Sequence, residues 1–383
     1  MDAPQSSNRP TDHVNLDLNK FNLDVVFGRA NGKIIWQPRI GCWFTDKEWA
    51  EIPFPEPYTG MSHAEIYRSL GCSDRLYNYF NPCLKRDEPG ITRSEEWVDE
   101  THLVSTAKSP VGAITYVART SPNNSGKITE KWWIETPEDM KVATWILENS
   151  GWAFDQDLYD KSLSQVGDLG APTIYMPRVN VQDLYIDTMG VEQGIYAIYE
   201  WGSVVDDYFR ALHQNHMRLI EVINSSPIMI VNFGDNLHCS TLSPTLYEEY
   251  VQPAYHERCN KLHEAGKFVN SHWDGDVRSL LKYAKTSGLD GIEALTPKPQ
   301  GDVTLEEIKE ALGDDLYYLD GIPAILFDTT FSEEELIAYA ERVIELFAPK
   351  LVLGISDEIS STGDIERVRI VGRIVDDYNA SLK

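Results

Sequence analysis

Basic residues are scarce in this 383-residue chain: 34 Lys and Arg stand against 60 Asp and Glu, a net charge of −26. The clustered cations that nucleic acid or an anionic membrane surface requires are missing, which argues against both as partners. The same field disfavours a polycarboxylate substrate unless a local basic cleft overrides it. Cysteine is also sparse. Five are scattered at Cys42, Cys72, Cys83, Cys239 and Cys259 without any CxxC or CxC, which excludes a disulfide framework and a thiolate-rich zinc site. No run of 18 apolar residues occurs, and the first twenty residues lack an apolar h-region. The expectation is a soluble, cytoplasmic protein. What the chain does have is 42% hydrophobic and 11% aromatic residues, enough for a large core and too much for disorder.

The second half alternates two periods. Residues 227–234 (PIMIVNFG) form a nearly continuous apolar run, as a strand buried on both faces requires, and end in Asp235. Ser243-Pro244 then opens a helix carried by Tyr247, Val251, Tyr255 and Leu262 and closed by Gly266. The unit repeats: a strand over 267–271 ending at His272, with Val277, Leu280, Leu281 and Ala284 marking its helix; a strand over 291–295 and a helix capped by Thr304; a strand over 316–319 ending at Asp320 and a helix opened by the capping box Ser332-x-x-Glu335; and a strand over 351–354 before Asp357-Glu358 and a last helix through Val368 and Val375. Five such units mean parallel strands joined by right-handed crossovers. For a (β/α)8 TIM barrel, three more units must come from residues 30–226. Segments 34–40 and 173–176 supply strands, residues 203–224 a long amphipathic helix, and Thr136-Pro137-Glu138-Asp139 a helix start. Residues 101–134 alternate about a turn at 121–126, the pattern of an inserted antiparallel hairpin. The chain therefore reads as an N-terminal extension over 1–33 and one barrel domain over 34–383.

Barrel enzymes carry their chemistry at the C-terminal strand ends. Those ends hold Asp235 with His238, His272 with Asp274, Glu293, Asp320 and Asp357 with Glu358, and none holds Lys or Arg. Carboxylates ringing one cavity repel one another, so a positive charge is expected among them, most simply a divalent metal. In His272-Trp273-Asp274, residues i and i+2 of an extended segment point the same way and can bind one ion. The alternative is that His272 bonds a backbone carbonyl while Asp274 or Asp276 caps the following helix. Glu293 inside a strand is costly unless paired or liganded. Asp235, Glu293 and Asp320 are the candidate catalytic acids. Arg39, His238 and Trp273 are candidate substrate contacts, although Arg39 could instead pair with an acid, and Trp36, Trp43 and Trp273 could be core packing.

The stretch GDNLHCSTLSPTLYEEYVQPAYHERCNKLHEAGKFVNSHWDGDV, with GLDGIEALTP, YYLDGIPA, LVLGISDE and the upstream helix WWIETPEDMKVATWILEN, resembles the uroporphyrinogen decarboxylase superfamily from about Trp36 onward. The resemblance implies a (β/α)8 barrel and one of two activities: cofactor-free decarboxylation of uroporphyrinogen, or methyl transfer by zinc enzymes that exchange methyl groups with a corrinoid protein. The methyltransferase branch carries His-x-Cys-Gly after its fifth strand and a further Cys after its eighth, all three on zinc. Here the matching positions read His272-Trp273-Asp274-Gly275 and, near the last, Ser356-Asp357, so His272 carries over, with Asp274 and Asp357 as the other implied zinc ligands. Oxygen in place of sulfur makes a harder Lewis acid, suited to an ether oxygen rather than a thiol. The resemblance thus implies an O-demethylase-like methyltransferase taking the methyl group of a methoxylated aromatic small molecule to Co(I) of a corrinoid (cobalamin) on a separate partner protein, since no DxHxxG corrinoid signature occurs. Decarboxylation, methylcorrinoid:thiol transfer and a barrel kept only for binding are the alternatives. Tyr and Trp clusters would permit a homodimer.

Overall fold

Short β-branched runs and long amphipathic stretches sort into one curled parallel sheet ringed by helices, described in a computed structural model for residues 16–75, 82–123 and 126–382. In chain order the strands of the first half are β1 (Ile35–Trp36), β2 (Cys83–Asp87), β3 (Thr92–Trp97), β4 (His102–Ser109), β5 (Gly112–Thr120), β6 (Lys127–Lys131) and β7 (Ser150–Phe154). Those of the second are β8 (Thr173–Met176), β9 (Ile230–Phe233), β10 (Phe268–His272), β11 (Gly291–Glu293), β12 (Tyr317–Pro323) and β13 (Leu351–Ser356). Seven of them make the parallel sheet, in the order β1-β13-β12-β11-β10-β9-β8. Strands β9, β10, β11, β12 and β13 are buried at every residue, which is why they read as continuous apolar runs.

The eight-stranded closure expected from the sequence is not present as a regular sheet among the described residues. Between β1 and β8 lies the segment 72–75, held by two backbone bonds: Ser73 N donates to the Trp36 carbonyl at 2.9 Å and Asp74 N to the Leu169 carbonyl at 2.9 Å. Two bonds are too few for a strand, and the polar Ser73-Asp74-Arg75 gave no apolar signal to find it by. The expected strand over 34–40 shrinks to β1, and a helix, Gly41–Trp49, starts directly after Ile40.

The expected hairpin over 101–134 is the larger part of a four-stranded antiparallel sheet, β3-β4-β5-β6, beside a separate β2·β7 pair. In β4 buried and half-buried residues alternate, so one face packs inward. Its predicted turn includes residues 124 and 125, which lie outside the described residues. Of the expected extension over 1–33, residues 16–33 are described. Its helix Leu18–Val26 plugs the N-terminal end of the parallel sheet, Val25 and Val26 packing with Ile35, Ile230, Phe268 and Leu319 while the Tyr317 hydroxyl donates to the Val25 carbonyl at 2.7 Å. Each buried valine contributes about 1.5–3 kcal/mol.

Capping chemistry sets the helices. Thr136/Asp139, Thr304/Glu307 and Ser332/Glu335 each form the reciprocal capping box at the starts of Pro137–Glu148, Leu305–Leu312 and Glu333–Phe347. Two expected helices differ. The 243–265 helix contains a π turn at Tyr247–Val251, just before Pro253, a residue that cannot donate a helical hydrogen bond. After β10 only a 3-10 turn forms, Leu281–Thr286. The Val277 amide is capped from another loop, donating to Asp302 Oδ1 at 3.0 Å, so neither Asp274 nor Asp276 serves as that cap.

Candidate active site

His272 ends β10 and is buried, with carboxylates on both sides of its ring. Nδ1 stands 3.9 Å from Glu293 Oε1 and Nε2 stands 3.8 Å from Asp274 Oδ2. Burial alone would push the imidazole down, but Asp274 and Glu293 outweigh it and lift its pKa to about 9. Asp274 is likewise raised by burial but held below the ordinary carboxylate range by His272 and by Asn236, whose side-chain amide donates to Oδ2 at 3.2 Å. His238 joins this turn: its ring lies so close to Gly275 (φ +76°) that a Cβ there would overlap it. Its Nδ1 accepts from the Ser240 amide at 3.1 Å.

Beneath His272 sits a buried ionic layer. Arg75 Nη1 stands 2.7 Å from both Glu293 Oε1 and Asp320 Oδ1, while its Nε donates to Gln37 Oε1 at 3.1 Å. Asn232 donates to the other Glu293 oxygen. Burial would raise Glu293, yet Arg75 and His272 hold it well below the usual range; Asp320 is raised to about 6 by burial, against the pull of Arg75. Asp320 is also strained, with φ +84° in the middle of β12, a conformation kept only where the surroundings impose it. Tyr175, on β8, lies against Gly234 so closely that any side chain at 234 would overlap its ring. Burial raises its phenol, and Glu293, Arg39, Arg178 and Asp235 all act on it, which places it among the charged groups of the mouth.

The sequence-predicted residues therefore divide. His272, Asp274, Glu293, Asp320 and His238 form one connected constellation. Asp235 does not enter it through a hydrogen bond. Its carboxylate accepts from the Val179 amide at 2.7 Å and from the Tyr255 hydroxyl, and so ties the β9 end to the loop after β8. Trp273 is fully buried, packed edge-on against Tyr247 with centroids 6.0 Å apart. Asp357 is half exposed and turns to Arg39, with Nη1 and Oδ1 3.2 Å apart, and Glu358 flanks the same guanidinium at 3.8 Å.

That last contact decides the fit of a zinc ion. His272 and Asp274 come together as the motif implied, but Asp357 is committed to Arg39, and no group of three His, Cys, Asp or Glu among the described residues is arranged to hold a metal. The positive charge expected among the acids comes instead from Arg39, Arg75 and Arg178, the last 2.8 Å from Asp187 and donating to Asn236 at 3.1 Å. Sequence reading missed Arg75, on the polar segment 72–75, and Arg178, just past β8, because strand ends were read only in the five units of the second half. The only available signal was the rule that a buried Glu293 must have a partner.

No protein-family model and no curated relative matches the chain. Among solved structures, a methyltransferase from Methanosarcina mazei matches over 94% of this chain and 98% of that one, with a TM-score of 0.58 at 10% identity. A type I 3-dehydroquinate dehydratase from Clostridium difficile (12% identity, 58% and 75% covered, TM-score 0.32) and a GH18 chitinase from Flavobacterium johnsoniae (13%, 60% and 82%, 0.34) are much more remote. No helix among the described residues is long and apolar enough to cross a membrane. What the chain shares with the Methanosarcina mazei methyltransferase, over nearly the full length of both, is its fold.

Proposed function

We propose that this protein is a methyltransferase that takes the methyl group of a methoxylated aromatic compound and passes it to Co(I) of a corrinoid on a separate protein. The sequence resemblance and the full-length likeness in fold to a methyltransferase support this reading. The observation that carries it is His272, buried at the mouth with a carboxylate facing each ring nitrogen. When a methyl–oxygen bond breaks, its electron pair stays on oxygen, and that oxygen must gain a proton or a hydrogen bond. Two flanking carboxylates favour a proton on each imidazole nitrogen. The Nε2–H beside Asp274 is the donor for the leaving oxygen, and Glu293, anchored by Arg75, fixes the ring from the other side. The corrinoid, when docked, supplies the nucleophile that accepts the methyl group. Zinc is assigned no step, because the residues implied to hold it are not assembled.

Cofactor-free decarboxylation is the second reading, favoured by the arginines at the mouth. It ranks second because Arg39, Arg75 and Arg178 each already face a carboxylate of the protein. The test is a panel of methoxylated aromatics incubated with the enzyme and a Co(I) corrinoid protein, scored for the free phenol. Phenol in step with corrinoid methylation is the expected result. No phenol from any donor, together with carbon dioxide released from a porphyrinogen carboxylate, would replace the first reading by the second.

A further inference from the structure

A cavity of about 170 Å³ lies away from His272, between the inserted sheet and the helices Pro137–Glu148 and Ser203–Asn224. Well-packed interiors leave few voids larger than a water molecule, whereas a cavity of roughly 150 Å³ accepts a benzene ring. Two indoles, Trp133 and Trp152, wall it together with the Tyr208 phenol and aliphatic side chains such as Ile114 and Leu212. Both indoles are fixed in place. Trp152 Nε1 donates to Asn215 Oδ1 at 2.9 Å, and Trp133 stacks on Tyr116 with centroids 5.6 Å apart.

The polar groups are equally built. Lys85 holds its ammonium 5.4 Å from the Trp152 ring centroid, and no carboxylate among the described residues is in ion-pair range of it. Arg93 lines the same cavity, bound to Asp87 through Nε at 2.7 Å. His216 Nδ1 accepts from Arg258 at 2.6 Å, which puts the ring proton on Nε2 and makes that nitrogen a donor. Asp183 is the acid of the lining, its Oδ2 accepting from the Tyr208 hydroxyl at 2.6 Å. Arg93 is already matched by Asp87, so Lys85 is the cation of this cavity that no carboxylate among the described residues pairs directly.

We infer that this cavity is a binding site for a monocyclic aromatic carboxylate bearing a ring hydroxyl. The ring lies between the indoles, the carboxylate meets Lys85, and the hydroxyl reaches the Asp183 side. The volume matches one ring. The inference stands apart from methyl transfer, since binding here requires no turnover and none of the lining residues belongs to the His272 constellation.

The test is calorimetric titration of the full chain with 4-hydroxybenzoate, with phenol and cyclohexanecarboxylate as comparators. The expected result is a saturable binding event for 4-hydroxybenzoate, at least about tenfold weaker binding of either comparator there, and a similar loss in Lys85→Met. Ala143→Leu, which fills the cavity from its helix wall, is expected to abolish binding, while His272→Gln binds as the wild type does. Circular dichroism of each variant checks that the fold is kept. Absence of saturable binding overturns the site. Unchanged affinity in Lys85→Met overturns the carboxylate assignment, and loss of binding in His272→Gln with Ala143→Leu unaffected places the ligand at the mouth and overturns the inference.

Discussion

Replacing Arg75 with methionine leaves Glu293 and Asp320, both fully buried, facing each other without the cation that stands 2.7 Å from each. Methionine keeps much of the arginine's volume, so the loss is electrostatic rather than a cavity. Removing one partner of a buried ion pair costs about 3–5 kcal/mol because the remaining charge stays desolvated. Against a net stability of about 5–15 kcal/mol that is a large share. The deficit must also depend on pH. In the wild type Glu293 is held below its ordinary pKa, so its contribution is present above an unfolded value of about 4.3 and is lost as pH falls. Without Arg75 both carboxyls move upward, Asp320 from a starting point already raised to about 6, and their charged forms penalise the folded state at high pH. Urea unfolding of wild type and Arg75→Met is therefore expected to differ most near about pH 8 and least near about pH 5. Asp320→Asn in the Arg75→Met background should recover more than about 1 kcal/mol of it. A deficit below about 1 kcal/mol, or one that is flat across this range, refutes the account of the buried layer.

Three further outcomes follow from the same contacts. Gly234→Ala drives a methyl group into the Tyr175 ring and is expected to cost about 1–3 kcal/mol by thermal melt; a neutral effect means the ring moves freely. Tyr255→Phe leaves Asp235 one donor short in a fully buried place and should destabilise by about 1.5–3 kcal/mol, which a matched urea titration will show or exclude. Burial, with Asp187 adding to it, pushes Asp183 up to about 7, so its charged form weakens the fold and stability improves as pH falls through that value. Asp183→Asn should accordingly melt higher than wild type near about pH 8 and lose that advantage near about pH 5, and the opposite ordering would mean that Asp183 is stabilised as an anion.

The sequence was legible where one local cause decides the structure. The apolar run before Asp235 had to be a doubly buried strand, and the capping boxes at Thr136, Thr304 and Ser332 set helix starts that recur in the structure. The segment 173–176 matched because it is apolar and flanked by Pro172 and Pro177. The segment 72–75 was illegible because it holds its place by polar side chains, with Gln37 donating to Ser73 Oγ at 3.0 Å and Arg75 reaching the acids. At the site, reading the strand ends found His272, Asp274, Glu293 and Asp320, since a barrel puts those positions at one mouth. It could not find what neutralises them. Arg75 reaches Glu293 from 218 residues away, a separation that leaves no spacing to read, whereas Arg178 follows β8 directly, nine residues before its partner Asp187, at a strand end outside the five units read in the second half. Arg39 is the exception: its pairing with an acid is open to the sequence, and its partner is Asp357, which the resemblance implies as a metal ligand.

The most direct measurement follows an isotopically labelled methyl group. The enzyme is given a methyl-labelled methoxybenzoate and a Co(I) corrinoid protein, and the label on the corrinoid is quantified beside the same reaction with His272→Gln. The account predicts label on the corrinoid in the wild type and a loss of roughly 10²–10⁴-fold in the variant, whose amide keeps the shape of a donor without its charge. Label transfer at an undiminished rate in His272→Gln, or none from the wild type with any methoxylated donor, contradicts it.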